Sequence, residues 1–185
     1  MRRLLTACAV AALAGMPLQA TSIIPTDLSD VVSSATVIVR GRVVDTRAFT
    51  EIANGPVMTA VTIATSEVLK GTAGSSLTFR VHGGEIGRYR YTMVGSPTFK
   101  PGDDAFFFLA RVSTGALWPV GMGAGVYRVT GTVQAPLVAG VTATAGATVQ
   151  RGDLRRKPMA SGEFASLVRM LVNAPPKRAQ TRGRR

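Results

Sequence analysis

Residues Ala35–Gly71 read ATVIVRGRVVDTRAFTEIANGPVMTAVTIATSEVLKG. Two runs within this stretch, Val37–Thr46 and Val57–Leu69, alternate apolar and polar residues at the period of two that is typical of β-strands. A polar connection containing glycine and proline separates the runs, as expected for a loop between strands. The stretch therefore predicts two neighbouring strands, and the later β-patterned segments are expected to pack against them.

Two irregularities are predicted within these strands. Val37, Val39 and Val43 fall on one face of the first strand, and Gly41 interrupts that face. A glycine inside a strand is typical of a bulge or a sharp bend. Apolar residues on both faces of the second strand follow Glu67, which indicates another bulge there.

Four further strands are predicted after the first two. They are Leu77–Val81, Ala105–Leu109, Leu117–Val120 and Val126–Val129. Residues 105–109 include three consecutive phenylalanines without alternation, which is typical of a strand buried on both faces. Residues 130–150 are rich in glycine, alanine, threonine and valine, and are compatible with an edge hairpin or a loop.

Two helices are predicted, one on each side of the strands. Thr26 can cap a short helix through Asp27–Val32. A longer helix is predicted at 161–174, beginning at Ser161, and its apolar residues share one face. These apolar residues are Phe164, Leu167, Val168, Leu171 and Val172. The predicted fold class is therefore all-β: a small barrel-like domain of five or slightly more strands, with a short N-terminal helix and an amphipathic C-terminal helix.

Residues 1–20 have the charged, apolar and small-residue order of a secretory signal peptide. Their apolar run, Leu4–Met16, is too short to cross a bilayer. Cleavage after Ala20 would begin a mature domain at 21–174. The alternative of a lipoprotein signal at Cys8 is disfavoured because the apolar region before that cysteine would be too short. We expect an exported protein, periplasmic or extracellular, with no transmembrane segment after removal of the leader.

The basic residues concentrate near the C-terminus. The chain has 22 Lys and Arg against 10 Asp and Glu, a formal net charge of +12. Residues 21–150 contribute a net charge of +2, whereas residues 151–185 contribute +8. Residues 175–185 are predicted to be a disordered basic tail. Arg151–Arg185 could therefore bind an anionic envelope polymer or nucleic acid, and a merely soluble, arginine-rich end is the alternative.

The residue types do not combine into a catalytic, cofactor or metal site. His82 is the only histidine and Cys8 lies in the predicted leader, so the several ligands of a zinc site are lacking. Asp103 and Asp104 are interpreted as turn residues with structural roles. The glycines of residues 121–125 precede a strand rather than a helix, which favours a glycine-rich hairpin over a phosphate-binding loop. We expect a protein that is not an enzyme.

The long segment 82–102 contains the surface candidate, Arg88-Tyr89-Arg90-Tyr91. Arginines interleaved with tyrosines are typical of ligand-binding loops, and an ordinary solvated loop is the alternative. Trp118 and Tyr127 are interpreted as packing residues. The four residues 88–91 are therefore predicted partner-binding residues.

The order of the motifs resembles a known fold. Ala35–Val44 followed by Val68–Gly71 is similar to the front half of the netrin-like domain of the tissue inhibitors of metalloproteinases. Residues 21–174 also resemble a group of uncharacterised exported bacterial proteins. The resemblance implies a five-stranded OB-type barrel, and it suggests a secreted or periplasmic peptidase as the partner.

In those inhibitors an N-terminal cysteine binds the zinc of the protease. Thr21 and Ser22 would form the corresponding terminus here, and the predicted mature chain has no cysteine. The resemblance therefore marks Thr21 and Ser22 as candidate partner contacts but argues against zinc-chelating inhibition. We expect an exported, non-enzymatic binding module for a protein partner. Polyanion binding through the basic C-terminal part is the alternative.

Overall fold

Ten strands and two helices occur in the residues that the computed structural model describes, which are 27–53, 55–131, 136–140 (backbone only) and 159–175. In chain order they are α1 Leu28–Ser34, β1 Val37–Phe49, β2 Met58–Lys70, β3 Ser76–His82, β4 Gly84–Ile86, β5 Tyr89–Tyr91, β6 Asp104–Arg111, β7 Leu117–Pro119, β8 Val126–Gly131, β9 Pro136–Gly140, β10 Met159–Ala160 and α2 Ser161–Asn173. A short 3-10 helix, Met122–Gly125, lies between β7 and β8.

Eight strands form one antiparallel sheet in the order β10-β9-β8-β6-β1-β2-β3, with β7 also paired to β6. Strands β4 and β5 form a separate two-stranded hairpin. Strand β1 ends at Phe49, beyond the predicted Thr46, because residues 47–49 continue to pair with β2.

Strands β7 and β8 lie on the same edge of β6. Strand β7 pairs with residues 109–111 of β6, and β8 pairs with residues 105–107. Between them the Val120 amide donates to the Phe108 carbonyl at 2.9 Å. The two segments are thus halves of one interrupted strand. The prediction of a glycine-rich hairpin between them is wrong, because both halves pair with β6 and not with each other.

The register between β1 and β2 shifts at three places. Ser66 and Leu69 are extra residues of β2, which confirms the irregularity predicted near Glu67. The only extra residue of β1 is Val44, so the bulge expected in β1 at Gly41 lies in β2 instead, where Ser66 falls opposite the step from Arg40 to Gly41. A methyl group on Gly41 would lie 2.8 Å from the Ala64 carbonyl oxygen. The close approach of β2 therefore requires glycine at this position.

Two apolar clusters cover the two faces of β1 and β6. The inner cluster contains Val37, Val39, Val61, Ile63, Phe79, Phe107, Leu109 and Leu117. The outer cluster contains Leu28, Val31, Ile38, Phe106, Phe108, Phe164 and Val168, and it joins the sheet to both helices. Because β6 is covered on both faces, its three phenylalanines are fully buried. The prediction made from their lack of alternation is confirmed.

Both helices are confirmed; the first extends to Ser34, two residues beyond the predicted Val32, and the second ends at Asn173, one residue before the predicted end. Helix α1 takes Asp27 as its N-cap, whereas Thr26 was predicted. Helix α2 begins at Ser161 and buries Phe164 and Val168, as predicted. Arg169 of α2 forms an ion pair with Glu67 of β2, which links the helix to the sheet. Neither helix combines the length and the apolar character needed to cross a membrane.

The structure confirms a mostly β fold with a helix near each end. The sheet has more strands than the five or slightly more that were predicted, because β9 and β10 extend it beyond β8, which is the predicted strand at 126–129. Hydrogen bonds between the described strands leave β3 and β10 as its two ends, so a closed barrel is not shown. The predicted signal peptide, most of segment 130–150 and the basic tail from residue 176 lie outside the described residues.

Candidate functional site

The predicted partner-binding residues Arg88, Tyr89, Arg90 and Tyr91 lie on the β4–β5 hairpin, which stands apart from the main sheet. Tyr89 is 66% exposed and Tyr91 is 39% exposed. Side chains so exposed contribute little to the core. The hairpin therefore presents two aromatic and two basic side chains to the surroundings.

The charges on the hairpin are only partly paired. Arg90 Nε lies 2.9 Å from Glu85 Oε1, in an ion pair exposed on both sides. The Arg88 guanidinium lies 5.2 Å from the centre of the Tyr89 ring and donates to its hydroxyl at 3.1 Å. Exposed pairs of this kind contribute about 0–1 kcal/mol to stability. The hairpin carries one more positive than negative charge.

The base of the hairpin is fixed to β2. The Gly83 amide donates to the Val57 carbonyl at 2.9 Å, and the Thr59 hydroxyl donates to the Gly83 carbonyl at 2.7 Å. A methyl group on Gly84 would approach Thr59 Oγ1 at 2.6 Å, so glycine is needed where the hairpin leaves the sheet. Because the base of the hairpin is already fixed, little conformational freedom would be lost on binding. A fixed base with an exposed tip therefore suits a recognition element.

A cleft of about 410 Å³ opens beside the base of the hairpin. We call it the Trp118 cleft; its lining includes His82, Ser96, Pro97, Trp118, Pro119 and Met122. The rings of His82 and Trp118 lie 4.5 Å apart between centroids, tilted by 37°. This cleft was not predicted, because the sequence favours a structural role for both His82 and Trp118. The available signal was that each is the only residue of its type.

Backbone strain lies at the edge of the Trp118 cleft. Gly121 has φ 56° and Met122 has φ 55°, and Met122 is the only non-glycine residue with positive φ in the described part of the chain. A left-handed non-glycine residue costs about 1–3 kcal/mol, and such residues cluster at functional sites. The Gly123 amide donates to the Gly95 carbonyl at 2.9 Å and helps to hold this turn. The Met122 side chain is 41% exposed.

A second groove, of about 570 Å³, lies on the outer face of β1, β2 and β3. Arg47, Ala60 and Arg80 are register partners on the three strands. The two arginines therefore stand about 10 Å apart across the small side chain of Ala60, twice the usual strand spacing. Arg80 is ion-paired with Glu51, and its guanidinium lies 5.2 Å from the centre of the Phe49 ring. We call this the Arg47 groove.

Asp103 and Asp104 have structural roles, as the sequence predicts. Asp103 pairs with Arg128 at 2.7 Å, and Asp104 pairs with Arg40 at 2.9 Å. The hydrogen bond that Arg40 donates to the Asp104 carboxylate raises the pKa of the Arg40 guanidinium above its ordinary value. Across residues 27–53, 55–131 and 159–175, no three His, Cys, Asp or Glu side chains group as a metal site would require.

Comparisons with protein-family models, curated proteins and solved structures find no match to this chain. The netrin-like resemblance therefore stays a prediction. Thr21 and Ser22, the other predicted partner contacts, lie outside the described residues, as do most of residues 151–185.

Proposed function

We propose that this chain is an exported, non-enzymatic binding module that holds a protein partner through the β4–β5 hairpin. One observation carries the proposal: the hairpin exposes Tyr89, Tyr91 and Ile86 beside two arginines, outside the main sheet. Aromatic and arginine side chains are enriched in protein interfaces and supply most of their strongest contacts. A secreted or periplasmic peptidase is the partner that the netrin-like resemblance suggests.

We propose an OB-like barrel as the scaffold of this module. The pairs β1–β2, β2–β3, β1–β6 and β6–β7 are all antiparallel, so β3 and β7 run in the same direction. The two strands lie side by side, and Phe79 and Leu117 from them share the inner cluster. Contact along this parallel seam supports a five-stranded barrel of β1, β2, β3, β7 and β6, with β8–β10 as an extension.

Replacing Tyr89 and Tyr91 together by serine is expected to reduce partner binding at least about thirtyfold, because the loss of even one interface hot spot costs about 2 kcal/mol or more. The matched control is Ile52→Ser, since Ile52 is 69% exposed and lies on the β1–β2 loop. Each mature variant is immobilised and exposed to secreted and periplasmic fractions of the producing cell. Equal recovery of the same protein by both variants would contradict the proposal.

Polyanion binding is a second candidate function, favoured by the Arg47 groove. The two arginines flank an open groove whose wall includes Thr78 and Thr114, so anionic groups could be held from both sides. Such binding should weaken steeply with salt, because each neutralised phosphate releases counterions. Arg47→Ser with Arg80→Ser should therefore reduce the affinity for a DNA oligonucleotide and flatten its salt dependence. Unchanged affinity and slope would exclude this groove and leave only the basic C-terminal part.

A further inference from the structure

We propose that Glu51 competes with anionic ligands for the Arg47 groove, so that the chain carries its own occupant for this site. The inference rests on polyanion binding at the groove, the second candidate function. It adds how that site is regulated: a ligand binds by displacing the Glu51 carboxylate from Arg80.

The side chain of Arg80 reaches across the groove towards Arg47. Arg47 and Phe49 are two residues apart on β1, so their side chains leave the same face of the sheet. Arg80 belongs to β3, and its register partner Ala60 on β2 separates it from β1. The Arg80 guanidinium nevertheless lies 5.2 Å from the centre of the Phe49 ring. The two arginines therefore converge on the β1 side of the groove.

The space above Ala60 is open to a ligand. The alanine side chain fills little of it, and the groove has a volume of about 570 Å³. Thr78 and Thr114 also line the groove, and their hydroxyl groups can donate hydrogen bonds to an anion. An anionic group placed there would lie between the two arginines.

Positive charge exceeds negative charge at this site. Within residues 27–53, 55–131 and 159–175, Arg47 has no ion pair or hydrogen bond. In the same ranges Glu51 is the only acid that pairs with Arg80. Two guanidinium groups thus stand beside one carboxylate, and one positive charge is left to attract a ligand.

The Glu51 carboxylate occupies the place that a ligand anion would take. It lies in the β1–β2 connection and accepts a hydrogen bond from Arg80 Nη1. Carboxylate and phosphate oxygens both form charge-assisted hydrogen bonds with a guanidinium, so a ligand oxygen can replace that of Glu51.

The ion pair between Glu51 and Arg80 is exposed enough to be exchanged. The side chains of Glu51 and Arg80 are 57% and 34% exposed, and exposed ion pairs contribute little stability. A ligand that contacts Arg47 as well should therefore displace Glu51. The contact with the Phe49 ring helps to keep the Arg80 guanidinium in place during the exchange.

The test uses the mature full chain, labelled with ¹⁵N, and a short thymidine oligonucleotide. The oligonucleotide is in excess over the protein, so the basic C-terminal part does not deplete it. The backbone amide signal of Ala60 in NMR spectra reports on the groove itself. We expect this signal to shift saturably in the wild type and to report weaker binding in Arg47→Ser.

Glu51→Gln should tighten oligonucleotide binding about threefold to fivefold, because glutamine keeps the size of the side chain but lacks the charge that competes for Arg80. Glu85→Gln is the matched control, since Glu85 is an exposed acid that pairs with Arg90 on the hairpin. It changes the net charge equally and should leave the affinity nearly unchanged. Equal affinities of Glu51→Gln and the wild type, or equal tightening in both variants, would overturn the inference.

Arg80→Ser tests whether Glu51 acts through Arg80. Without this arginine the carboxylate has nothing to release, so adding Glu51→Gln should no longer tighten binding. The same threefold to fivefold gain in the presence of Arg80→Ser would overturn the inference.

The double variant Arg47→Ser with Arg80→Ser separates this inference from the function on which it rests. If its Ala60 signal reports the wild-type affinity, polyanion binding at the groove is wrong and the inference is wrong with it. If the double variant binds more weakly but Glu51→Gln does not bind more tightly, the inference alone is wrong.

Discussion

Replacing Phe164 by alanine is expected to lower the free energy of unfolding by about 3–5 kcal/mol. Phe164 is 4% exposed, and its ring centre lies 5.0 Å from that of Phe106 and 4.9 Å from that of Tyr127. Truncation removes these contacts and leaves a cavity between α2 and the sheet. Because a domain is stabilised by about 5–15 kcal/mol in total, the midpoint of urea unfolding should fall clearly.

Met170→Ala is the matched control for this substitution. Met170 belongs to the same helix but is 68% exposed, so its truncation should change stability by less than about 0.5 kcal/mol. Similar losses in the two variants would mean that α2 does not dock on the sheet through the Phe164 face.

Gly125→Ala is expected to destabilise the protein by about 3 kcal/mol, the upper part of the range for overpacking. The added methyl group would lie 2.6 Å from the Val120 carbonyl oxygen, 2.7 Å from the Val120 amide nitrogen and 2.9 Å from the Phe108 carbonyl oxygen. All three atoms belong to the backbone, so no side chain can move aside. The variant should therefore separate the start of β8 from β6.

The same substitution at Gly162 should have the opposite sign. A methyl group there would meet nothing within 4 Å, and Gly162 lies in the first turn of α2. Alanine favours helices over glycine by up to about 1 kcal/mol, so Gly162→Ala should be neutral or stabilising. Thermal unfolding of the two variants measures both effects. Equal melting temperatures would contradict the close approach of the Val120 and Phe108 backbone to Gly125.

The sequence predicted the elements whose signal is local. The alternation of β2 and the spacing of apolar residues in α2 each lie within one short segment, and both elements were located to within a residue or two. Strands β4 and β10 have only three and two residues, too few to show a period, so they were not predicted.

The parts that sequence reasoning missed depend on pairing between distant segments. Nothing near Trp118 indicates that β7 lies beside β3, so the contact between Trp118 and His82 could not be derived. The interrupted strand β7–β8 was missed for the same reason, since its partner β6 precedes it in the chain. Residues 88–91 could be proposed as a binding surface from the sequence because aromatic and basic residues alternate locally there.

The binding role of the hairpin can be tested most directly by site-specific photo-crosslinking in the producing cell. One variant carries the photoreactive residue in place of Tyr89, and the control carries it in place of Met170. The two positions are 66% and 68% exposed, so random encounters should label them equally. The proposed function predicts one discrete crosslinked product from position 89 and none of that size from position 170. The same product from both positions, or none from position 89, would contradict it.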